Sequence, residues 1–161
     1  MAEPRENEIV ESLLREIGDS SNSSKENVDL GQFFDKFIKL EDTDFQRLAM
    51  DLAVALSCVA DWERAYAVIR RYRKLNAADM AALIFDMRCL YELERYSEVL
   101  ALGQMAVSEK HQFLMANYLM GLSFEALGMY PQARSRLEAV VKQDPNFLDI
   151  SYRMSKLQSG R

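Results

Sequence analysis

The chain has 161 residues, of which 49% are hydrophobic, so it can bury a core of its own and is expected to form one globular domain. Its formal net charge of −5 and its lack of a basic cluster argue against nucleic-acid binding, because phosphate recognition needs a concentrated positive charge. No apolar run reaches the ~18 residues that cross a bilayer, and the polar start is unlike a signal peptide, so we expect no membrane insertion and a cytoplasmic location.

Residues 1–18 are predicted to form an N-terminal amphipathic helix that ends at Gly18. The polar segment 19–27 has nothing to bury, and it is predicted to be a flexible linker. A helix tethered in this way caps the domain, binds a partner, which includes a second copy of the chain in a homodimer, or stays disordered. Its apolar stripe at helical spacing consists of Ile9, Val10, Leu13, Leu14 and Ile17.

The domain predicted for residues 28–161 begins with a second, strongly apolar helix. This helix must be covered, and packing against the first helical hairpin of the repeats is the simplest way to bury it. Its apolar side chains are Phe33, Phe34, Phe37, Ile38 and Leu40.

Residues 114–147 contain two apolar segments of helical period on either side of a turn at Gly128. The order of their residues resembles the tetratricopeptide repeat (TPR), a helix–turn–helix unit of about 34 residues. Gly121 stands where two helices need to approach closely, and the Trp position of the pattern is occupied by Asn117. The other matching positions are Met120, Phe124, Ala133, Leu137 and Pro145.

Steps of one repeat length from this segment lead to the same residue classes upstream. An aromatic residue after the turn and a small residue three places later recur, which predicts repeats at about 46–79, 80–113 and 114–147. The resemblance implies an all-α, right-handed α-solenoid of three helical hairpins, with N-terminal helices and a C-terminal capping helix at about 148–158. The recurring residues are Trp62, Tyr96 and Tyr130, followed by Ala65, Val99 and Ala133.

The sequence shows no constellation of residues for catalysis. His111 is the only histidine, and it stands at a repeat junction where the family pattern has proline. Neither a glycine-rich phosphate loop nor a metal-ligand spacing is present. Cys58 and Cys89 are expected to be free, buried thiols, which suits a reducing compartment. We therefore expect a protein without enzymatic activity, catalytic residues, cofactor or metal ion.

The TPR resemblance implies a groove lined by the first helix of each repeat, where family members bind segments of other proteins. The groove positions here are mostly apolar, with Met, which adapts to varied shapes, and with Tyr and Arg, which are enriched at interface hot spots. The alternative is that these side chains belong to the core or are covered by the N-terminal helices. The predicted binding residues are Arg47, Met50 and Val54 in the first repeat, Ile84, Arg88 and Tyr91 in the second, and Met115, Tyr118 and Leu122 in the third.

Two functional classes fit a TPR domain of this kind. An adaptor or assembly factor would hold a peptide or helix of a durable partner protein in the groove. A small TPR secretion chaperone of Gram-negative bacteria, which the chain resembles in length, acidity and general plan, would hold an export client and could dimerise through its N-terminal helix. Some TPR proteins clamp the carboxyl-terminus of a chaperone with Lys and Asn, but the matching positions here are mostly apolar, so that partner is not expected.

Overall fold

The computed structural model describes residues 6–20, 30–107 and 113–159, and these residues form nine α-helices without a β-strand. The prediction of an all-α fold is confirmed. His111 and most of the predicted linker lie outside the described residues. The helices are α1 (Glu6–Ser20), α2 (Leu30–Phe37), α3 (Asp42–Cys58), α4 (Trp62–Leu75), α5 (Met80–Glu92), α6 (Tyr96–Ala106), α7 (Phe113–Ala126), α8 (Tyr130–Gln143) and α9 (Ile150–Ser159).

The helices from α3 to α8 pair into three hairpins, α3–α4, α5–α6 and α7–α8, and each hairpin packs against the next. First helices also contact one another along the stack, as α5 does with α7. Packing of each unit on its sequence neighbours is the property that defines a helical solenoid. The predicted solenoid of three helical hairpins, with N-terminal helices and a C-terminal capping helix on α8, is therefore confirmed.

The same turn closes each hairpin, and its successive positions are one repeat length apart. Ala60, Glu94 and Gly128 take left-handed backbone angles, with φ of 58°, 58° and 73°. In each turn the amide that follows this residue donates to a carbonyl near the end of the first helix, which is the closing bond of a Schellman motif. These bonds run from Asp61 N to Leu56 O (2.9 Å), from Arg95 N to Leu90 O (2.9 Å) and from Met129 N to Phe124 O (2.8 Å).

The helices α7 and α8 cross closely because Gly121 has no side chain. A Cβ atom on Gly121 would lie 2.5 Å from Leu137 Cδ2 and 3.5 Å from the carbonyl oxygen of Ala133. Leu137 and Ala133 are both fully buried. The expected close approach at Gly121 is therefore present, and Ala133 lies beside it.

A buried ion pair links the first hairpin to the second. Asp86 of α5 is fully buried, and its Oδ2 atom accepts a hydrogen bond from Arg73 Nη1 of α4. The positions one repeat length before and after Asp86 hold Leu52 and Met120, so the repeat pattern has an apolar residue at this place. Burial raises the pKa of Asp86 in spite of the opposing effect of Arg73. The pair therefore connects α4 with α5. Removal of either partner would leave an uncompensated buried charge, which is costly.

The first helix, α1, packs mainly against α2 and α3. Ile9 and Leu13 are 5% and 3% exposed, and they share one core cluster with Phe37 of α2 and with side chains of α3. The structure thus places α1 as a cover on the first hairpin. The helix runs to Ser20, past the stop predicted at Gly18.

Arg71 of α4 holds the end of α2 onto the first hairpin. Its guanidinium donates to the carbonyl oxygens of Ile38 and Leu40 at 2.5 and 2.6 Å. The same group pairs with Asp42 at 2.8 Å and lies 4.1 Å from the ring centroid of Phe45. Side chains that satisfy free carbonyls stabilise a helix end. The apolar second helix packs on the first repeat as predicted, because Phe37 lies in one core cluster with Phe45 of α3, at 5.3 Å between ring centroids.

The two cysteines lie in different environments. Cys89 is buried in α5, and burial raises the pKa of its thiol to about 12. Cys58 is exposed, so the expectation that both thiols are buried is wrong for Cys58. It is the last residue of α3 and is followed by the exposed hairpin loop, which leaves its side chain uncovered.

Candidate functional site

The predicted binding residues lie on α3, α5 and α7, the first helices of the three hairpins. Residues at equivalent positions of successive repeats form rows across these helices, because each hairpin is related to the next by a similar rotation and translation. The structure divides the residues into an open section on α3 and α5 and a covered section on α7, in which Tyr118 and Leu122 are buried and Met115 is half-buried. The open section contains Arg47, Met50, Val54, Ile84, Arg88 and Tyr91, and the covered section contains Met115, Tyr118 and Leu122.

The open section presents apolar side chains partly to solvent. Val54 is 45% exposed, whereas Met50 is half-buried against a core cluster that includes Ile69. Ile84 is half-buried against the core of the second hairpin. Such side chains are held in position by the core and still offer area to a ligand, which is what a preformed binding surface requires.

Arg88 is oriented by contacts within its own chain. Its Nη2 atom lies 2.5 Å from Glu92 Oε1, and its guanidinium carbon lies 5.9 Å from the ring centroid of Trp62. The Arg88 side chain remains partly exposed, and ion pairs of this kind contribute only ~0–1 kcal/mol to stability. The guanidinium can therefore turn toward a carbonyl or carboxylate of a ligand at low cost.

The covered section lies beneath α9 and the segment that precedes it. Tyr118 and Leu122 are 5% and 4% exposed. The Tyr118 ring meets Phe147 edge to face at 5.7 Å, and its hydroxyl donates to Asp149 Oδ1. Burial, together with this hydrogen bond, raises the pKa of Tyr118 to about 12. Tyr118 and Leu122 therefore belong to the core that supports the groove.

An ion-pair network joins α7 to α9 around Glu125. Lys156 Nζ donates to Glu125 Oε1 at 3.0 Å, and Arg153 Nη1 lies 3.6 Å from Glu125 Oε2. Arg153 Nε also donates to Asp149 Oδ2 at 2.9 Å. Burial tends to raise the pKa of Asp149, but hydrogen bonds from Tyr118 and Arg153 outweigh it and hold this pKa below its usual value. The network fixes α9 against the end of the groove.

A cavity of about 560 Å³ opens between α5, α7 and α9. The sequence indicated a polar cap at α9, and the residues that this helix contributes to the cavity were not predicted. A signal was present: a step of one repeat length from Leu122 leads to Lys156, which places α9 as the first helix of a further, incomplete repeat. The cavity is lined by two predicted residues, Tyr91 and Leu122, and by Glu125, Ala126, Tyr130, Arg153, Lys156 and Leu157.

The wall of the cavity combines apolar side chains, such as Leu122 and Leu157, with charged ones, such as Glu125 and Arg153. Within residues 6–20, 30–107 and 113–159, no group of three or more His, Cys, Asp or Glu side chains could hold a metal ion. No helix in the described segments is both long and apolar enough to pass through a bilayer. Concave, largely apolar surfaces with a few polar groups at their edge are typical of binding sites for other molecules.

No protein-family model matches the chain, and no curated protein matches it. A solved structure described as "MamA RS-1 ArsTM double mutant" is similar to it, with a TM-score of 0.70, and the match covers 98% of this chain and 85% of that chain. MamA is a TPR-containing protein. The chain has a TPR-like fold. The two sequences are 16% identical, so the likeness between this TPR-like chain and MamA concerns the fold.

Proposed function

We propose that the chain is a non-enzymatic interaction module, an adaptor or assembly factor, that binds a peptide or helix of another protein in its groove. The TPR-like fold supports this proposal, because stacked helical hairpins present an extended concave surface to partners. The observation that carries it is the open section of the groove, where apolar side chains remain accessible beside arginines. Both cysteines are free thiols, which fits the reducing cytoplasm that we propose as its location.

Val54, Ile84 and Tyr91 are the side chains that we expect to contact the partner. Each is partly or largely exposed, and the Tyr91 ring is already held at 5.6 Å from the ring of Tyr96. A side chain that is fixed before binding loses less conformational entropy in the complex. Arg88 stands at the edge of these residues, where a charge-assisted hydrogen bond to a carbonyl or carboxylate would orient the bound segment.

The test begins with purification of the chain from its native lysate together with its partner, and then compares affinities for that partner. Val54→Asp puts a carboxylate into the apolar groove, and this carboxylate must be desolvated on binding. We expect a loss of affinity of about tenfold or more. Ala101→Asp, at an exposed position of α6, is the matched control and should bind like the wild type. Equal binding by a folded Val54→Asp variant would show that the groove is not the site.

A secretion chaperone that holds an export client and dimerises through α1 is the second candidate. Such a chaperone would bind an unfolded, aggregation-prone client, whereas an adaptor would co-purify with a folded partner in fixed stoichiometry. Ile9 and Leu13 are buried within their own chain, and side chains used in this way are not available to a dimer interface. This burial favours the adaptor.

A further inference from the structure

We propose that the cavity between α5, α7 and α9 binds the side-chain amide of a glutamine or asparagine of the partner segment. This inference rests on the proposed function, and it names the chemical group by which the partner is anchored. A primary amide carries N–H donors and a carbonyl acceptor on the same carbon atom. The wall of the cavity presents an acceptor and a donor side by side, which is the complementary arrangement.

The acceptor is Glu125, near the end of α7. Its side chain lines the cavity and is 12% exposed. The Oε1 atom accepts a hydrogen bond from Lys156 Nζ at 3.0 Å, whereas the buried Oε2 atom accepts none from the part of the chain that the structure describes. Arg153 Nη1 lies 3.6 Å from Oε2, which is too long for a hydrogen bond. A buried acceptor without a donor costs free energy, so a ligand that brings an N–H group gains by supplying it.

The carboxylate of Glu125 can turn to present Oε2 to the cavity. The terminal torsion of a glutamate side chain has a broad energy minimum, so this rotation costs little. Lys156, which contacts the other oxygen, has a side chain that is 56% exposed, and ion pairs of this kind are weak. The rotation therefore needs no rearrangement of the core.

The donor is Arg153 of α9. Its Nε atom donates to Asp149 Oδ2 at 2.9 Å, and this hydrogen bond orients the guanidinium. The Nη1 atom then lies 3.6 Å from Glu125 Oε2, so a donor and an acceptor stand next to each other at the wall. A primary amide directed at both atoms donates to Glu125 and accepts from Arg153 at the same time. An ammonium group has no acceptor and a carboxylate has no donor, so each would satisfy one of the two.

The charges around the cavity favour a neutral ligand group. Glu125 and Asp149 balance Arg153 and Lys156 in one set of ion pairs. A charged ligand group would add an uncompensated charge to a partly buried site, and its desolvation would be costly. A carboxylate would also approach the carboxylate of Glu125, and an ammonium group would approach the two cations. An amide adds no net charge.

The rest of the cavity fits the aliphatic part of such a side chain. The volume of about 560 Å³ lies in the range of ~300–1,000 Å³ that is typical of ligand pockets. Leu122 is 4% exposed, and Tyr91 packs against the cores of both the second and the third hairpin. These sides of the wall are therefore rigid. Methylene groups of the ligand would contact them, together with Leu157, while its amide meets the charged side.

The first experiment is a selection of random peptides, displayed on phage, against the full chain, followed by affinity measurements with the enriched peptides. The expected result is a recurrent glutamine or asparagine. Affinity should change by less than about twofold between low and high salt, because salt screens interactions between charges and the anchor carries none. A recurrent basic, acidic or purely apolar anchor, or no enrichment, would overturn the assignment of an amide to this cavity.

Replacements in the selected peptide test the amide on the unchanged protein. Its glutamine is replaced by glutamate, which keeps the shape, and by methionine, which keeps the size and loses the polar head; aspartate and leucine serve for asparagine. We expect each replacement to weaken binding by about tenfold or more, since hydrogen bonds to charged groups are among the stronger ones. Equal affinity of either replaced peptide would overturn the proposal.

Glu125→Gln tests the acceptor through the preference between two ligands. A glutamine at this position donates to a carboxylate, so the preference for the amide peptide over the carboxylate peptide should fall by about tenfold or more. This preference is a ratio of affinities within one variant, so a general disturbance of the site does not produce the change. Glu63→Gln, at an exposed position of α4, is the matched control and should keep the preference. An unchanged preference in Glu125→Gln would overturn the role of Glu125.

Ala126→Trp tests the location of the anchor. Residue 126 is exposed at the end of α7 and lines the cavity, so a large side chain can fill the cavity without disturbing the core. We expect the affinity for the selected peptides to fall by about tenfold or more. Ala101→Trp, at an exposed position of α6, is the control and should leave the affinity unchanged. Equal affinities in the two variants would place the peptide elsewhere and overturn the proposal.

The combined results separate the cavity from the proposed function. Peptides that lose affinity with Val54→Asp but not with Ala126→Trp would leave the groove as the site and overturn the amide pocket. Peptides that are unaffected by both substitutions would overturn both proposals. A concentration-dependent dimer that Ala126→Trp abolishes, measured by light scattering, would identify a second copy of the chain as the occupant and overturn the assignment to a partner protein.

Discussion

Ala133 lies where α8 crosses α7, and little space remains beside it. It is fully buried, and its carbonyl oxygen lies 3.5 Å from the position that a Cβ atom on Gly121 would take. We expect Ala133→Leu to lower the free energy of unfolding by about 1–3 kcal/mol, because overpacking forces strained rotamers and backbone shifts. Ala101→Leu adds the same atoms at an exposed site and should unfold near the wild-type temperature. Thermal unfolding followed by circular dichroism compares them, and an unchanged midpoint for Ala133→Leu would contradict the close crossing.

Tyr118 and Asp149 form a link between α7 and α9 that depends on pH. The pKa of Asp149 is lowered, so its contribution to stability is present above the unfolded value of about 3.9 and is lost as pH falls through the folded value. The pKa of Tyr118 is raised to about 12, so its contribution is present below the unfolded value of about 10 and is lost as pH rises through the folded value. The link is therefore complete around neutral pH.

Tyr118→Phe removes the hydroxyl and keeps the ring. At pH 7 we expect a loss of about 1.5 kcal/mol in the free energy of unfolding, as is usual for a hydrogen bond to a charged group. The difference from the wild type should shrink as pH falls below the unfolded value of about 3.9 and through the lowered folded pKa of Asp149, because the ionised acceptor of the hydrogen bond is then lost. Urea unfolding at a series of pH values measures this difference. A difference that stays constant with pH would mean that ring packing, and not the hydrogen bond to Asp149, accounts for the loss.

At the level of elements, the three hairpin turns share one backbone conformation and differ in residue type. A non-glycine residue in the left-handed region costs ~1–2 kcal/mol. Ala60→Gly should therefore raise the free energy of unfolding, and Gly128→Ala should lower it, each by about 1 kcal/mol. A Cβ atom on Gly128 would meet no atom within 4 Å, so its φ of 73° alone causes the expected loss. Urea titrations of the two variants provide the comparison, and effects of the same sign would show that the turns are not equivalent.

The hairpins could be predicted from the sequence because their packing residues recur. The second helix of each hairpin, α4, α6 and α8, begins with an aromatic residue: Trp62, Tyr96 and Tyr130. A small residue follows three places later, and such spacing arises because packed helices need particular residue sizes at fixed positions. The turns at Ala60 and Glu94 could not be predicted in this way. Neither residue favours a left-handed backbone, so tertiary packing of the helices on either side determines their conformation.

The candidate site could be predicted only in part. The predicted binding residues lie on the first helices of the hairpins, as expected, but the burial of Tyr118 and Leu122 depends on α9. The position of α9 results from pairs between residues distant in sequence, such as Glu125 with Arg153 and Lys156. The repeat step from Leu122 to Lys156 marks α9 as the start of a further repeat, but it does not show which charges pair. The polar residues of α9 therefore indicated a solvated cap.

At the scale of the whole molecule, α1 determines where the folded domain begins. Leu13 is 3% exposed in the cluster shared with the first hairpin, whereas its neighbour Leu14 is 38% exposed. We expect Leu13→Ala to cost about 2–5 kcal/mol, as truncation of buried leucines does, and Leu14→Ala to cost much less. Thermal unfolding of the two variants measures both effects. Equally small effects would mean that α1 is not docked on α2 and α3 in solution.

The same two variants test whether α1 competes with partners for the groove. It packs on α2 and α3 at one end of the stack, whereas the cavity lies between α5, α7 and α9. A ligand shifts an equilibrium only when it binds the two states with different affinity. Met50 of the groove packs in a different cluster from the one that holds α1, so α1 does not cover this part of α3. Leu13→Ala should therefore bind the co-purified partner within about twofold of the wild type at temperatures where it is folded. If α1 instead covered the groove in a fraction of the molecules, loosening it would free the site, and the apparent affinity would rise as the open fraction rises. A tighter Kd for Leu13→Ala, with an unchanged Kd for Leu14→Ala, would therefore contradict the role of α1 as a cap and show that it is an internal competitor.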